Sequence, residues 1–141
     1  MSFQLRGVIP PVPTIVGPDG RFDPQGMGRL IDRLLDSDVN GFLFLGSAGE
    51  FAQLANADRR RIAEFCVQRV AGKRPVIIGT ASCSTEEVIE LSRHAGDIGA
   101  DAVMVVNPYY SQLTDERIYQ HYRKIAEASP LPVLLYNFPA L

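Results

Sequence analysis

The chain has 141 residues, of which 46% are hydrophobic and 21% are charged, a balance typical of a globular protein. Its 14 lysines and arginines against 16 aspartates and glutamates give a net charge of −2, which argues against nucleic-acid binding and against a basic membrane surface. No apolar run reaches the about 18 residues of a membrane helix, and the first residues lack the apolar stretch of a signal peptide. Two cysteines without a CxxC pair favour a cytoplasmic protein, and the spacing of cysteines and histidines predicts no metal site.

Five short apolar runs predict five β-strands. Their apolar residues are continuous rather than alternating, which is typical of strands buried on both faces of a parallel sheet. The runs lie at residues 7–13, 41–45, 75–79, 102–106 and 132–136.

Helical patterns fill the gaps between these runs. Asp23 followed by Pro24 predicts an N-cap and a proline in the first turn of a helix. A second helix is expected over residues 58–70, with Arg59 at its head in solvent. Ser84 and Glu87 have the spacing of a capping box that opens a third helix.

A fourth helix is predicted to begin after Thr114. Ile118, Tyr122 and Ile125 should face inward, because they recur at helical spacing. His121 and Lys124 then fall on the opposite side of this helix.

The predicted strands and helices alternate every 27 to 34 residues, which indicates a parallel α/β architecture. Two arrangements fit this alternation: a complete open, doubly wound sheet, or the first half of a barrel that needs about 250 residues. The periodicity alone does not separate them.

Functional residues in such folds collect at the carboxyl ends of the strands. Residues 46–50 (GSAGE) follow the second run and form a small-residue turn whose amides can approach an anion. Tyr110 and Tyr136 lie at two other strand ends, where phenols can relay a proton. The competing interpretations are an ordinary turn and aromatic packing. A serine hydrolase built on Ser47 would need His94 or His121 nearby, and Leu45 replaces the first glycine of the nucleophile elbow.

Three segments together resemble the dihydrodipicolinate synthase/N-acetylneuraminate lyase family. They are residues 46–50 (GSAGE), 107–110 (NPYY) and 136–140 (YNFPA), which look like the family's GxxGE, PYY and YN-x-P motifs. The resemblance runs along the whole chain but covers only the first half of the family's domain. It implies a TIM (β/α)8 barrel, with residues 1–141 supplying about four βα units and the fifth strand, and a homotetramer built as a dimer of dimers.

The resemblance also implies class I aldolase chemistry, in which a lysine amine forms a Schiff base with a 2-oxo acid. Tyr136 would exchange protons with the reacting oxygen, and Ser47 and Tyr110 would complete the relay, with Tyr110 reaching a neighbouring subunit. The amides of Ser47 and Ala48 would bind the substrate carboxylate. No metal or organic cofactor is expected, since the imine itself accepts the electrons.

Ala48 and Leu141 make the chain most similar to the family's 2-keto-3-deoxygluconate aldolases, which cleave a 2-keto-3-deoxy sugar acid to pyruvate and an aldehyde. Synthases of the family usually carry threonine and arginine at these positions. A dihydrodipicolinate synthase-type condensation and a non-catalytic 2-oxo-acid-binding module remain the alternatives. The family's catalytic lysine is expected beyond Leu141, so the 141 residues alone should be an inactive carbon–carbon lyase. Lys73 and Lys124 are poor substitutes for it, since both are expected to lie away from the site.

Overall fold

The computed structural model describes residues 5–138, in which helices and strands alternate. The helices are α1 (Pro24–Leu35), α2 (Asn56–Val70), α3 (Thr85–Asp97) and α4 (Asp115–Ala128). The strands are β1 (Phe42–Phe44), β2 (Val76–Gly79), β3 (Ala102–Val106) and β4 (Val133–Tyr136).

The order of the strands distinguishes between the two predicted architectures. All neighbouring strands are parallel, and the sheet runs β1-β2-β3-β4 without a reversal. Right-handed crossovers between successive neighbours place the connecting helices on the same face, whereas a doubly wound sheet reverses its order part-way. The fold is therefore a partial TIM barrel, and the open doubly wound sheet is excluded.

The predicted strand over residues 7–13 is wrong as a regular strand. Only Pro11 forms an isolated parallel bridge, with Leu43 of β1. Val12 N donates to Leu43 O at 2.8 Å, and Leu43 N donates to Pro10 O at 3.1 Å. Prolines at positions 10, 11 and 13 have no amide hydrogen, so a continuous ladder cannot form. The segment still occupies the place beside β1 that the first strand of the barrel would take.

Two faces of the sheet have different surroundings. Phe42 and Phe44 of β1 are fully buried, with ring centroids 5.5 Å apart. They belong to the hydrophobic core with Ile31 of α1, Ile62 of α2 and Val88 of α3. Side chains alternate across a strand, so the intervening residues face the opposite side, which is the interior of the barrel.

Three helices start where the sequence predicts, α2 starts two residues earlier than predicted, at Asn56, and the capping box of α3 is incomplete. The Asp23 carboxylate accepts from the amides of Gln25 and Gly26 at 3.0 Å, as an N-cap should. Ser84 accepts from the Glu87 amide, but the Glu87 carboxylate accepts from Ser82 and Asn56 and does not complete the capping box. The prediction was half right because the Glu87 carboxylate instead accepts from Ser82, which follows β2, and from Asn56, which begins α2.

His121 lies inside the structure, which corrects the prediction that it faces outward. Its side chain is buried, and its Nδ1 lies 2.8 Å from the Thr85 hydroxyl of α3. Its Nε2 has no partner among the described residues. Burial lowers the pKa of this imidazole, and nearby Glu86 opposes the shift. Packing of α4 against α3 buries His121, whereas Lys124 remains exposed.

We expect this histidine to make the protein less stable in mild acid. A base whose pKa is lowered by folding binds protons more readily when unfolded, so stability falls as the pH drops below about 6.5. Wild type should therefore lose more stability than His121→Asn between pH 7.5 and pH 5.5 in urea unfolding. An equal loss in the two proteins would contradict the prediction. The loss of unfolding free energy caused by His121 should stop growing once the pH lies below the lowered pKa of the folded state. There the imidazole is protonated in both the folded and the unfolded protein.

No helix among residues 5–138 has the length and apolar character required to cross a bilayer.

Candidate active site

The turn after β1 has an unusual backbone. Ser47–Gly49 forms a single 3-10 turn, and Gly46 before it is extended. The residues on either side, Leu45 and Glu50, are left-handed, with φ of 57° and 55°. This conformation costs an L-residue about 1–2 kcal/mol, so surrounding contacts must impose it.

Two amides at the start of this turn are available to a ligand. Ser47 and Ala48 are exposed, and the first amides of a helical turn have no acceptor within that turn. The Thr14 hydroxyl donates to Gly49 O at 2.6 Å and fixes the far end of the turn. Thr14 was not identified from the sequence as a residue that supports the turn. The available signal was its position just after the proline-rich segment, which runs beside β1. The turn can therefore present two donors to one anion in a fixed geometry.

Tyr136 and Ser47 lie in the same small cleft at the carboxyl end of the sheet. The cleft is also lined by Gly79, Met104 and Val106, so it lies on the interior side of the barrel. The half-buried Tyr136 ring stacks on Phe138, with centroids 6.0 Å apart and planes 4° from parallel. The fold thus brings two of the predicted hydroxyl residues, which are far apart in the sequence, to the same cleft.

Tyr110 does not join this cleft. Its side chain is 90% exposed. The preceding residue, Tyr109, instead lines an adjoining cavity of about 300 Å³ with Ser47 and Phe51, and its ring meets Phe51 edge-on at 5.8 Å. Burial raises the pKa of Tyr109, and the neighbouring Cys83 thiol adds to the effect. Sequence reasoning passed over Tyr109, although the paired tyrosines predict that one faces inward and the other outward.

Arg59 is buried, which corrects the prediction that it lies in solvent. Only 4% of it is exposed, and Nη2 donates to Gly79 O at 3.2 Å. Its guanidinium carbon lies 5.2 Å from the centre of the Phe51 ring, and Nη1 donates to Asn56 Oδ1 at 3.3 Å. Burial lowers the pKa of this guanidinium, and Tyr109 and Glu87 oppose the shift. Three consecutive arginines suggested a solvated face, but helical spacing turns the first of them toward the sheet.

Neither lysine of the chain lies at the cleft. Lys73 is exposed in the turn before β2, at the opposite end of the sheet. Lys124 lies in a groove between α3 and α4, with Thr85 and His121. The predicted positions of both amines, away from the site, are therefore confirmed.

The histidines do not support a serine hydrolase. His121 is bonded to Thr85, and His94 Nε2 lies 2.9 Å from Glu64 Oε1. Neither histidine of the described residues is therefore placed to activate the Ser47 hydroxyl. Within residues 5–138, no group of three or more metal-binding side chains is found.

The chain is similar to a known family of proteins along almost its whole length. A sequence model described as the "Dihydrodipicolinate synthetase family" matches residues 4–141. The Escherichia coli K12 protein named "Putative 2-dehydro-3-deoxy-D-gluconate aldolase YagE" is 46% identical over 140 residues, covering 99% of this chain and 46% of that protein. The E. coli K12 "Probable 2-dehydro-3-deoxy-D-pentonate aldolase YjhH" is 42% identical, covering 98% of this chain and 46% of that protein.

A synthase and a solved structure complete the comparison. The 4-hydroxy-tetrahydrodipicolinate synthase of Methanopyrus kandleri is 43% identical, covering 99% of this chain and 47% of that protein. The crystal structure of YagE from E. coli K12 in complex with pyruvate superposes with a TM-score of 0.93 at 46% identity, over 96% of this chain and 45% of that one. The chain thus spans about half the length of the curated relatives it matches.

Proposed function

The chain belongs to the dihydrodipicolinate synthetase family, and from that membership we propose that the protein containing it is a pyruvate-dependent Schiff-base aldolase. The observation that carries the proposal is the cleft shared by Ser47 and Tyr136, beside the free amides of the 46–50 turn. A hydroxyl pair next to an anion-binding turn suits a 2-oxo acid, whose carboxylate lies beside its reacting carbonyl. A relative at 46% identity has been solved with pyruvate, which supports the same ligand class.

In the proposed reaction, the amides of Ser47 and Ala48 bind the substrate carboxylate. We place the reacting lysine in the part of the barrel that follows these residues. Its amine attacks the ketone, and the adduct loses water to form an iminium ion. The Tyr136 oxygen accepts the hydroxyl proton while its own proton passes to the Ser47 hydroxyl of the relay. The carbon–carbon bond then breaks to release the aldehyde, and the bonding electrons pass into the iminium. The resulting enamine takes up a proton, and water releases pyruvate and the free amine.

We propose a 2-keto-3-deoxy sugar acid as the substrate. Ala48 and Leu141 support this choice, and so do the names of the two E. coli relatives. Leu141 lies outside the described residues. The synthase-type condensation is the second candidate, favoured by the 43% identity to the M. kandleri synthase.

The exposed Tyr110 supports an oligomeric enzyme. With 90% of its surface exposed, its ring can reach a neighbouring subunit. We propose that it completes the proton relay across a homotetramer interface.

Trapping with pyruvate and borohydride tests the proposed reaction. Intact mass should show one adduct per polypeptide, equal to pyruvate less one water plus two hydrogens. The protein for this test is the longest natural polypeptide that contains this sequence, called the full-length protein below. Omitting borohydride is the control. Absence of an adduct would overturn the aldolase and favour a binding module.

Substrate choice is tested separately on the same protein. Pyruvate should be released from 2-keto-3-deoxygluconate or its five-carbon analogue. Condensation of pyruvate with aspartate semialdehyde, without sugar-acid cleavage, would instead establish the synthase.

A further inference from the structure

The close approach of β2 to the turn after β1 gives Gly79 a specific role. An ideal Cβ built on Gly79 would lie 2.0 Å from Leu45 O, 2.6 Å from its carbonyl carbon and 3.0 Å from Gly46 N. Real Cβ atoms do not approach backbone atoms this closely, so no other residue fits without moving the Leu45–Gly46 peptide. That peptide leads directly into the Ser47 and Ala48 amides.

Gly79 and Leu45 depend on each other. Leu45 has a left-handed φ of 57°, and its side chain is almost completely buried, with 2% exposed. The burial of the side chain fixes Leu45 from one side, and the missing side chain of Gly79 leaves space for its carbonyl on the other. A side chain at position 79 would therefore push the strained peptide away and turn the two amides that follow it.

Arg59 holds the other side of Gly79. Its guanidinium donates to Gly79 O at 3.2 Å, and the same group lies 5.2 Å from the centre of the Phe51 ring. Phe51 lines the cavity that adjoins Ser47. One buried cation thus contacts both the strand beneath the turn and the aromatic wall beside it.

We propose that Gly79 and Arg59 are positioning residues for the carboxylate-binding turn: Gly79 leaves room for the Leu45–Gly46 peptide, and Arg59 fixes the Gly79 carbonyl and the Phe51 ring. The inference rests on the proposed function, because it assumes that the Ser47 and Ala48 amides bind the substrate carboxylate. Gly79 has no side chain to bind a substrate, and the Arg59 guanidinium donates to Gly79 O and Asn56 Oδ1, so each acts through the position of the turn.

The test compares pyruvate with pyruvamide, which has the same ketone without the carboxylate charge. Borohydride trapping in the full-length protein gives a half-saturating concentration for each ligand. In Gly79→Ala the preference for pyruvate should fall by about tenfold or more, since a charge-assisted hydrogen bond contributes at least that much. Gly28→Ala is the matched control, because a Cβ at Gly28 would make ordinary contacts of 3.6 Å or more.

A second pair of variants keeps the test decisive if Gly79→Ala does not fold. Arg59→Met removes the hydrogen bond to Gly79 O but keeps an apolar chain of similar length. Arg61→Met is its control on the same helix, since the Arg61 side chain is 77% exposed. Arg59→Met should lower the preference for pyruvate by about threefold to tenfold, and Arg61→Met should leave it unchanged.

Several outcomes would overturn the proposal. One is a folded Gly79→Ala protein whose preference for pyruvate stays within twofold of wild type. Equal losses of the preference for pyruvate in Arg59→Met and Arg61→Met would also overturn the proposal. If Gly79→Ala is unfolded, an unchanged preference in Arg59→Met also refutes it. Failure of wild type to form any adduct is a different result, because it removes the proposed function itself.

Discussion

Replacing Tyr136 by phenylalanine should reduce turnover by about a hundredfold to ten-thousandfold, the range for loss of a general acid–base group. The change removes one hydroxyl and leaves the ring stacked on Phe138, where the centroids lie 6.0 Å apart. The Tyr136 side chain is partly buried through its ring, so the packing that positions it does not depend on the hydroxyl. The loss should appear in kcat, since Tyr136 acts on the proton that moves as the bond breaks.

The measurement is steady-state release of pyruvate from the sugar acid by the full-length protein, with unfolding followed in parallel. Tyr119→Phe provides the control, because Tyr119 is an exposed tyrosine of α4 that faces away from the cleft. The control should keep wild-type turnover. A Tyr136→Phe enzyme within threefold of wild type would show that another group moves the proton, and Tyr109 would then be the first residue to test.

Replacing Phe44 by alanine should lower the free energy of unfolding by about 3–5 kcal/mol, the usual cost of removing a buried aromatic ring. Phe44 is completely buried and stacks against Phe42 at 5.5 Å. It lies between the sheet and the helices, so the cavity left behind has walls from several elements and cannot close easily. The loss is a large fraction of the total stability of a typical domain.

Urea unfolding of the full-length protein measures this effect, with the slope of the transition checked for constancy. Tyr119→Ala is the control, since a surface substitution changes stability by about 0.5 kcal/mol or less. A cost below about 1 kcal/mol for Phe44→Ala would mean that the helices repack over the space. The core around Phe44 would then rearrange more easily than its complete burial indicates.

The positions of individual side chains show where sequence reasoning was sufficient. Four of the five predicted strands formed at nearly the predicted residues, because short continuous apolar runs are typical of strands in a parallel sheet. Burial on both faces holds for β2 but not for β4, where Leu135 is 65% exposed. Asp23 capped α1 as predicted, because capping depends on residues two or three positions apart. The first predicted strand failed for an equally local reason, which was the loss of amide donors at its prolines.

Arg59 and His121 show where the sequence was not sufficient to predict the position of a side chain. Both are polar residues on helices, and each stands among other polar residues in the sequence. Each is buried because a distant segment offers a partner: the Gly79 carbonyl for Arg59, and the Thr85 hydroxyl for His121. Helical spacing within α2 and α4 places both residues on the buried face, but it does not identify these partners.

The sequence by itself determined the alternation of strands and helices, the candidate residues at the strand ends and the resemblance to one family. Those conclusions depend on residue spacing along the chain, which burial and local hydrogen bonding translate directly into structure. The tertiary structure alone decided that Ser47 and Tyr136 share a cleft, that Tyr109 rather than Tyr110 lines the cavity, and that Gly79 lies beneath a strained turn. These facts require the separate strands to be aligned side by side, because only the register of the sheet sets which atoms meet across it.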